Sequence, residues 1–553
     1  MKKISLLLIA SVLLFAGCEL DRLPETTLTD AAFWKTENDL RGACNRLYEQ
    51  LGGFWHDKRS DELVGTSADD TSSGSRSVPS TDDTNWRDVY RKIYVSNNIL
   101  AKAVNTPIPE DAKNRWLAEA RFFRAYNYFA LAKRYGGVPM MLQPFDTTDD
   151  PEILKGRNTL EEVIAQCYED LDFAIQWLPK HSAIAASSSD WGRASRSSAL
   201  AMKARIGLYI GTLTKYHSLS GGDAKAHLKI ALDACEAVMK EGHSLFPDFQ
   251  KLFYFDGEGS GNKENIFVKV YGPNGAPTTT HGNSRQMENS VSVTRQMVDL
   301  FLYNDGLPRD KSVKKPVVED SFDSALENRD PRLLMTVYKI GEEAYKGEYQ
   351  PFSNQHGNGY SLKKGFMLDQ WSTNSKEDVD KMIIRYAEVL VTYAEALYEY
   401  NGAITNSELD KTINLMRNRV GFDVKLTNEF VAANSLNMLE EIRRERTVEF
   451  IDENMRYDDI IRWKIAENVL PQYIVGAKFV DDETSKARKD LQARLTDANG
   501  MLNGVKVYDQ EDVYVIELKE SRRFDPKKDY LYPIPLNEIS LTGNAIVQNP
   551  GWE

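Results

Sequence analysis

The sequence predicts a mainly α-helical chain of stacked helical hairpins that carries irregular loops and small β elements. Three observations lead to this class. Between Thr36 and Lys240 apolar residues recur at spacings of three and four, the period of a helix with one buried face. The periodic stretches come as neighbours of about fifteen to twenty residues with Ala, Tyr and Leu at packing positions, as in helical hairpins. From Gly242 to Asn374 the texture turns to Gly, Pro and Asn with short strand-like runs, and helical periodicity then resumes.

Taken in order, Leu40, Cys44, Leu47, Tyr48 and Leu51 mark a first helix from about Thr36. Ser60 to Asn85 is rich in Ser, Thr, Asp and Gly and reads as a long loop, an element that in compact domains is usually functional or disordered. Trp86 to Val104 sets Val89, Ile93, Asn97 and Leu100 on one face. Ala112 to Tyr135 has apolar residues around most of its axis, as a buried helix does. Gly136-Gly137 stops it and Pro139 prevents continuation. Further helices are predicted over Thr159–Leu178, Ser195–Thr214 and Ala224–Lys240, with no strict repeat period. Ile266 to Val270 reads as a strand. Helices return at Asp378–Tyr400 and Asn406–Val420, and a third, Leu436–Ala466, breaks near Asn454. Strand and loop follow from Val505.

A chain of 553 residues buries a large core without disulfides or metals. Its formal net charge of -13 removes phosphate-backbone attraction, so nucleic acid is excluded as a partner. At the N-terminus Lys2 and Lys3 precede an apolar run from Ile4 to Gly17. As a helix that run reaches roughly 20 Å, short of a hydrocarbon core of about 30 Å, so it reads as a signal peptide over residues 1–17. It ends Leu14-Phe15-Ala16-Gly17-Cys18, which resembles the bacterial lipobox with Phe where Leu is commoner. Cys18 is then the lipidated first residue of the mature chain. Residues 18–30 are a polar tether, and residues 31–553 form one domain with a helical part (31–240) and a loop-rich and C-terminal part (241–553). The other cysteines, Cys44, Cys167 and Cys235, are odd in number and widely spaced, and they read as buried thiols.

Catalytic and cofactor motifs are missing. No phosphate-binding glycine loop occurs, and Gly257-Glu-Gly259-Ser-Gly261 has the wrong spacing for one. No nucleophile elbow is present, the seven His never fall at i,i+4, and no Cys pair has zinc spacing. Asp69, Asp70, Asp82 and Asp83 read as a solvated acidic loop in preference to a calcium site. Glycoside hydrolysis needs only two carboxylates and stays open at this level. The densest set, Glu440 to Asp459, is interleaved with Arg443, Arg444, Arg446 and Arg456. Such pairing lowers carboxyl pKa values, the reverse of what a general acid needs.

Several motifs together resemble one family. Residues 118–139 read Ala-Glu-Ala-Arg-Phe-Phe-Arg-Ala-Tyr-Asn-Tyr-Phe-Ala-Leu-Ala-Lys-Arg-Tyr-Gly-Gly-Val-Pro. Asp330-Pro-Arg-Leu333, Ile384-Arg-Tyr-Ala-Glu-Val-Leu390 with Tyr393-Ala-Glu-Ala396, and Asn414-x-x-Arg417-x-Arg419-x-Gly421 follow. Then come Glu445-Arg446-x-x-Glu449-Phe450, Arg456-x-x-Asp459-Ile-x-Arg462-Trp463, Tyr532-Pro-Ile-Pro535 and Gln548-Asn-Pro-Gly-Trp552. In this order they resemble the SusD/RagB family of outer-membrane nutrient-binding lipoproteins. The resemblance implies a tetratricopeptide-like helical-repeat superhelix with small β elements and no cofactor or enzymatic activity. It also implies a SusC-like TonB-dependent transporter as partner, with the chain as a lid over its barrel, and an oligosaccharide or polysaccharide ligand. The acidic Glu19 and Asp21 fit export to the outer face. A peptide-binding member of the family is the second reading, a surface glycoside hydrolase the third and an assembly scaffold the fourth.

The matched motifs are scaffold. Glu119, Arg121 and Arg124 on a buried helix need ionic partners, for which Glu388 and Glu395 are candidates. Sugar rings are recognised by aromatic faces and planar polar groups on loops held by a rigid frame. Three loops qualify: Asp69, Asp70, Arg76 and Trp86 in or beside the first; Tyr271, Asn274, His281 and Asn283 in the second; Tyr360 and Trp371 in the third. Trp86 and Asp69 lead this set, although Trp86 fits a core position equally.

Overall fold

A computed structural model describes residues 33–553 apart from 146, 148, 149, 188, 220, 273–278, 345–346, 352–357, 373–375, 481–483 and 496–512. The signal peptide, Cys18 and the tether lie outside the described residues, as does Asn274. Six helices build the first half: α1 (Glu37–Tyr48), α2 (Thr84–Ala103), α3 (Glu110–Tyr135), α4 (Leu160–Trp177), α5 (Arg196–His217) and α6 (Ala224–Met239). Local chemistry sets their starts. Thr36 caps α1 and Thr159 caps α4, each with a carboxylate three residues on that bonds back to the cap amide. Helices α1 and α2 pack on α3, and α3, α4, α5 and α6 then stack in sequence order.

Helix α3 is the spine of this stack. Trp116, Phe122, Phe123, Tyr128, Leu131 and Tyr135 are all buried, so apolar contact surrounds it. It ends because Gly136 takes φ 76° and ψ -132°, a conformation that carries no side-chain penalty only for glycine. A Cβ on Gly137 would lie 2.1 Å from the Asn158 carbonyl oxygen, so that position requires glycine as well.

The second half returns onto this frame. Strand β1 (Asn265–Lys269) pairs antiparallel with β2 (Lys381–Arg385), and β2 runs directly into α7 (Tyr386–Asn401), which packs on α5 and α6. The helix expected from Asp378 therefore begins at Tyr386. Residues 381–385 pair with β1 instead, and Arg385 is extended at φ -127°, ψ 159°. Helices α8 (Ile413–Arg419), α9 (Met438–Glu449) and α10 (Arg456–Arg462) follow, and β3 (Ile474–Lys478) pairs with β4 (Val513–Glu517). The break expected near Asn454 is a turn over 450–455 in which Asp452 and Asn454 both have φ 62°. Tyr532-Pro-Ile-Pro535 is extended but joins no strand. The Gln548 side chain accepts from Ile534 N at 2.8 Å and donates to Ile534 O at 2.8 Å, replacing a neighbouring strand.

Ion pairs inside the protein join distant elements. Glu119 pairs with Arg193 at 2.6 Å and Arg115 at 2.9 Å, and Arg124 pairs with Asp170 at 2.7 Å. The partners expected for these groups serve others: Glu388 holds Arg205 and Glu395 holds Arg462. The largest assembly centres on Glu449, which is 0% exposed. It contacts Arg385 at 2.7 Å, Arg332 at 3.0 Å and Arg419. Arg385 also reaches Glu264 and Glu453, each at 2.8 Å, and Arg332 reaches Glu445 at 2.6 Å. Burial alone would raise the Glu449 carboxyl, but Arg419, Arg385 and Arg332 hold it well below the usual range. Cys44, Cys167 and Cys235 are free and buried. Among the described residues no helix is long and apolar enough to cross a membrane.

Removing one member of a buried lattice leaves its partners uncompensated, so Glu449→Gln is expected to cost about 3–5 kcal/mol in chemical denaturation at neutral pH. The Glu449 and Glu453 carboxyls lie below their ordinary value of 4.5 in the folded protein. Their contribution is therefore complete above that pH and is lost as pH falls below it. The wild type is expected to weaken steeply under acid, and Glu449→Gln less so.

Candidate functional site

The loop that follows α1 carries Gly52-Gly53-Phe54-Trp55-His56, and Trp55 is 49% exposed. Beneath it lies a cleft lined by Phe54, His56, Asn283, residues 379–382 leading into β2, and the 452–454 turn. A second hollow of about 160 Å³ shares Lys381, Met382, Glu453 and Asn454 with this cleft and is also walled by Tyr126, Lys133, Arg205 and Arg446.

Each wall is fixed by the frame. Arg59 lies 5.0 Å from the Trp55 ring centre and 4.3 Å from that of Tyr457, while its guanidinium grips Asp57 at 2.7 Å. One cation shared by two rings thus braces the tryptophan. His56 Nδ1 contacts Asp452 Oδ1 at 2.8 Å, and Asp452 N donates to Glu62. Glu453 is anchored by Arg385 and Lys364, so the buried lattice positions the turn directly. Left-handed backbone at two non-glycine positions is costly and collects at functional turns. Asn454 Oδ1 and Arg446 Nη1 are buried without a hydrogen-bond partner among the described residues, and both residues line the second hollow. Polar groups of this kind suit a hydroxyl-rich ligand. Behind the cleft, burial raises Asp380 to about 6 and Glu258 to about 7. Asp380 accepts from Tyr271 N at 2.8 Å. Only Asp380 of the two lines the cleft.

The predicted site residues fall into two groups. In the second loop, Asn283 lines the cleft, and Tyr271 and His281 pack behind Phe54 at ring distances of 6.0 and 4.4 Å. Burial holds His281 down at about 4, so it is neutral near pH 7. Trp371 is half-buried on the same flank, donating from Nε1 to Glu288 at 2.5 Å with Arg285 over its ring at 4.6 Å. The remaining residues serve structure. Asp69 caps the helix Asp70–Ser73 through the Thr71 and Ser72 amides, and Asp70 accepts from Ser75 Oγ at 3.0 Å. Arg76 is buried between the Tyr532 and Trp552 rings, with its guanidinium on Asp529. Trp86 is 4% exposed against Tyr90 and Tyr135, and Tyr360 is 0% exposed beside Phe322. These two are corrected to core positions, because packed neighbours enclose faces that a sugar would need. The acidic loop forms no group of metal-ligating side chains among the described residues: Asp83 caps α2 and accepts from Tyr135 OH at 2.7 Å. Sequence reading missed Trp55, whose one local signal was a glycine pair followed by two aromatics.

Comparison with known proteins fits this geometry. A model described as the SusD family matches residues 251–552. The chain belongs to the SusD family. A second model, described as starch-binding associating with outer membrane, matches residues 53–208. The chain is 25% identical to a SusD-like protein of Bacteroides ovatus, over 100% of this chain and 97% of that one. It is also 25% identical to SusD-like protein P2 of Formosa agariphila, over the whole of both chains. A solved SusD-like carbohydrate binding protein from Bacteroides fragilis superposes with a TM-score of 0.71 at 24% identity, covering 92% of this chain and 99% of that one. A laminarin binding SusD-like protein gives 0.61 at 19% identity, covering 94% and 100%. This SusD-family fold agrees with the tetratricopeptide-like helical stack expected from the resemblance.

If the left-handed backbone at position 454 is built in, Asn454→Gly is expected to keep stability within about 1 kcal/mol. Asn454→Val should lose about 1–3 kcal/mol, both read from denaturation midpoints.

Proposed function

We propose that this SusD-family chain is a surface glycan-binding lipoprotein. It is anchored in the outer membrane through Cys18, captures an oligosaccharide or polysaccharide, and passes it uncut to a SusC-like TonB-dependent transporter. The observation that carries this reading is Trp55, an exposed indole braced by Arg59 at the rim of a cleft lined by Asn283, Lys381 and Asn454. An indole face packs against the C–H side of a pyranose, and the cleft's amide and charged groups address its hydroxyls. Tyr271, 7% exposed, is a core ring that supports Phe54 from behind and is not a contact in this reading. The solved neighbours named for carbohydrate and for laminarin support a glycan as the ligand class. The description of the 53–208 model supports the outer-membrane setting.

Catalysis is not part of this reading. In the 440–459 region Glu445, Glu449, Glu453 and Asp459 are tied to arginines, an environment that keeps a carboxyl ionised and unsuited to donating a proton.

Titration calorimetry of the full chain against a glycan panel tests the reading. One glycan is expected to bind, and Trp55→Ala should weaken it by at least about tenfold, the scale of a central aromatic contact. Trp86→Ala should leave the affinity of the folded protein unchanged while costing about 3–5 kcal/mol of stability. Reducing-end assays should detect no cleavage. A peptide ligand, or affinity indifferent to Trp55, would overturn the proposal.

A further inference from the structure

Among the described residues most buried arginines lie on a carboxylate, as at Arg124, Arg193, Arg385 and Arg462, and three half-buried lysines near the end of α1 do not. Lys92 Nζ donates to Gln50 O at 3.1 Å, Lys269 Nζ to Leu51 O at 2.7 Å and Lys381 Nζ to Gly53 O at 2.5 Å. They come from α2, from β1 and from β2, yet converge on four consecutive residues just beyond the end of α1. Three residues of backbone span at most about 11 Å, so the three ammonium groups crowd one short stretch that leads into Phe54 and Trp55. Among the described residues none of the three forms an ion pair with a carboxylate.

The carbonyls account for one donor on each lysine and for part of a helix-end dipole, but they do not neutralise three charges. Burial lowers the pKa of each lysine, that of Lys381 to about 8. Lys92 further depresses Lys269, and Lys269 depresses Lys381, while Asp452 and Glu453 partly offset this at Lys381 and Asp88 does so at Lys92. The acids nearby are otherwise engaged: Glu453 is tied to Arg385 and Lys364, Asp452 to His56, and Asp380 to the Tyr271 amide. Lys381 itself lines the cleft, and Lys269 lies 5.3 Å from the Tyr271 ring centre. Half-buried positive charge with spare donors beside an exposed indole is suited to a sugar that carries its own anion.

Resting on the glycan reading above, we propose that the cleft selects an anionic glycan, whose carboxylate or sulfate group lies against Lys381, backed by the positive charge of Lys269 and Lys92, while a sugar ring packs on Trp55. The two anions share this chemistry, so both are tested. Calorimetry on the full chain uses polygalacturonate as the carboxylate probe, a sulfated galactan as the sulfate probe and laminarin as the neutral one. One anionic glycan is expected to bind at least about tenfold more tightly than laminarin, and to weaken as salt rises from about 0.05 to 0.5 M. Lys381→Met should lose roughly tenfold to a hundredfold on that glycan, the range of one charge-assisted contact. Lys381→Arg, which keeps the charge, should retain most of the affinity and guards against a folding defect in the methionine variant. Preference for laminarin, or anionic binding indifferent to both salt and Lys381→Met, overturns this inference and leaves the proposed function standing. Binding of no glycan in the panel overturns both.

Discussion

The fold depends on one constraint: several arginines and glutamates are buried together and must neutralise one another. Glu449 meets Arg332, Arg385 and Arg419, which come from three separate parts of the chain, and Glu264, Glu445 and Glu453 close the set. Each charge taken singly would be costly to bury, and their mutual satisfaction is what makes the arrangement tolerable. The consequence is geometric. The end of β2, helices α8 and α9, the segment of Arg332, the residue preceding β1 and the turn after α9 are tied to one another whatever the surface loops do. Apolar packing of α3 against its neighbours supplies the bulk of the core, and the ionic lattice sets the register of the second half upon it.

That lattice reaches the cleft in one step. Glu453 belongs to it and is adjacent to both Asp452 and Asn454, the two left-handed residues of the turn. Arg385, at its centre, ends β2, and Lys381, at the other end of the same strand, lines the cleft. The opposite wall comes from the loop after α1, stiffened by Arg59 between Trp55 and Tyr457. For the proposed role in glycan capture, walls fixed this way would need little ordering when a ligand arrives, so less of the contact energy would be lost to entropy. This construction also separates roles: the family motifs lie in the lattice and core, while the exposed contacts lie between them.

Much of this was legible in the sequence, for identifiable reasons. The helices of the first half were readable because their signals are local: the apolar period and the Gly136-Gly137 stop. The arginine-laced reading of 440–459 held in kind, since the Glu449 and Glu453 carboxyls are indeed held low, but the partners were missed. Most of them sit far along the chain, and helical spacing says nothing about those. Strand β2 was read as helix because its apolar residues continue the pattern of α7, and only pairing with β1 decides the matter. The site was the least legible part. Trp86 and Trp55 are the same residue type, each near the end of a helix, and burial alone distinguishes 4% from 49% exposure. Likewise Lys92, Lys269 and Lys381 become a cluster only through the fold.

The most direct test of the whole account is a crystal structure of the full chain grown with an oligosaccharide that it binds. The account predicts a sugar ring within about 4 Å of the Trp55 indole, with the chain entering the cleft toward Asn454. A ligand seated elsewhere, for instance in the apolar groove beside Trp86 and Tyr94, with the Trp55 face left open to water, would contradict it.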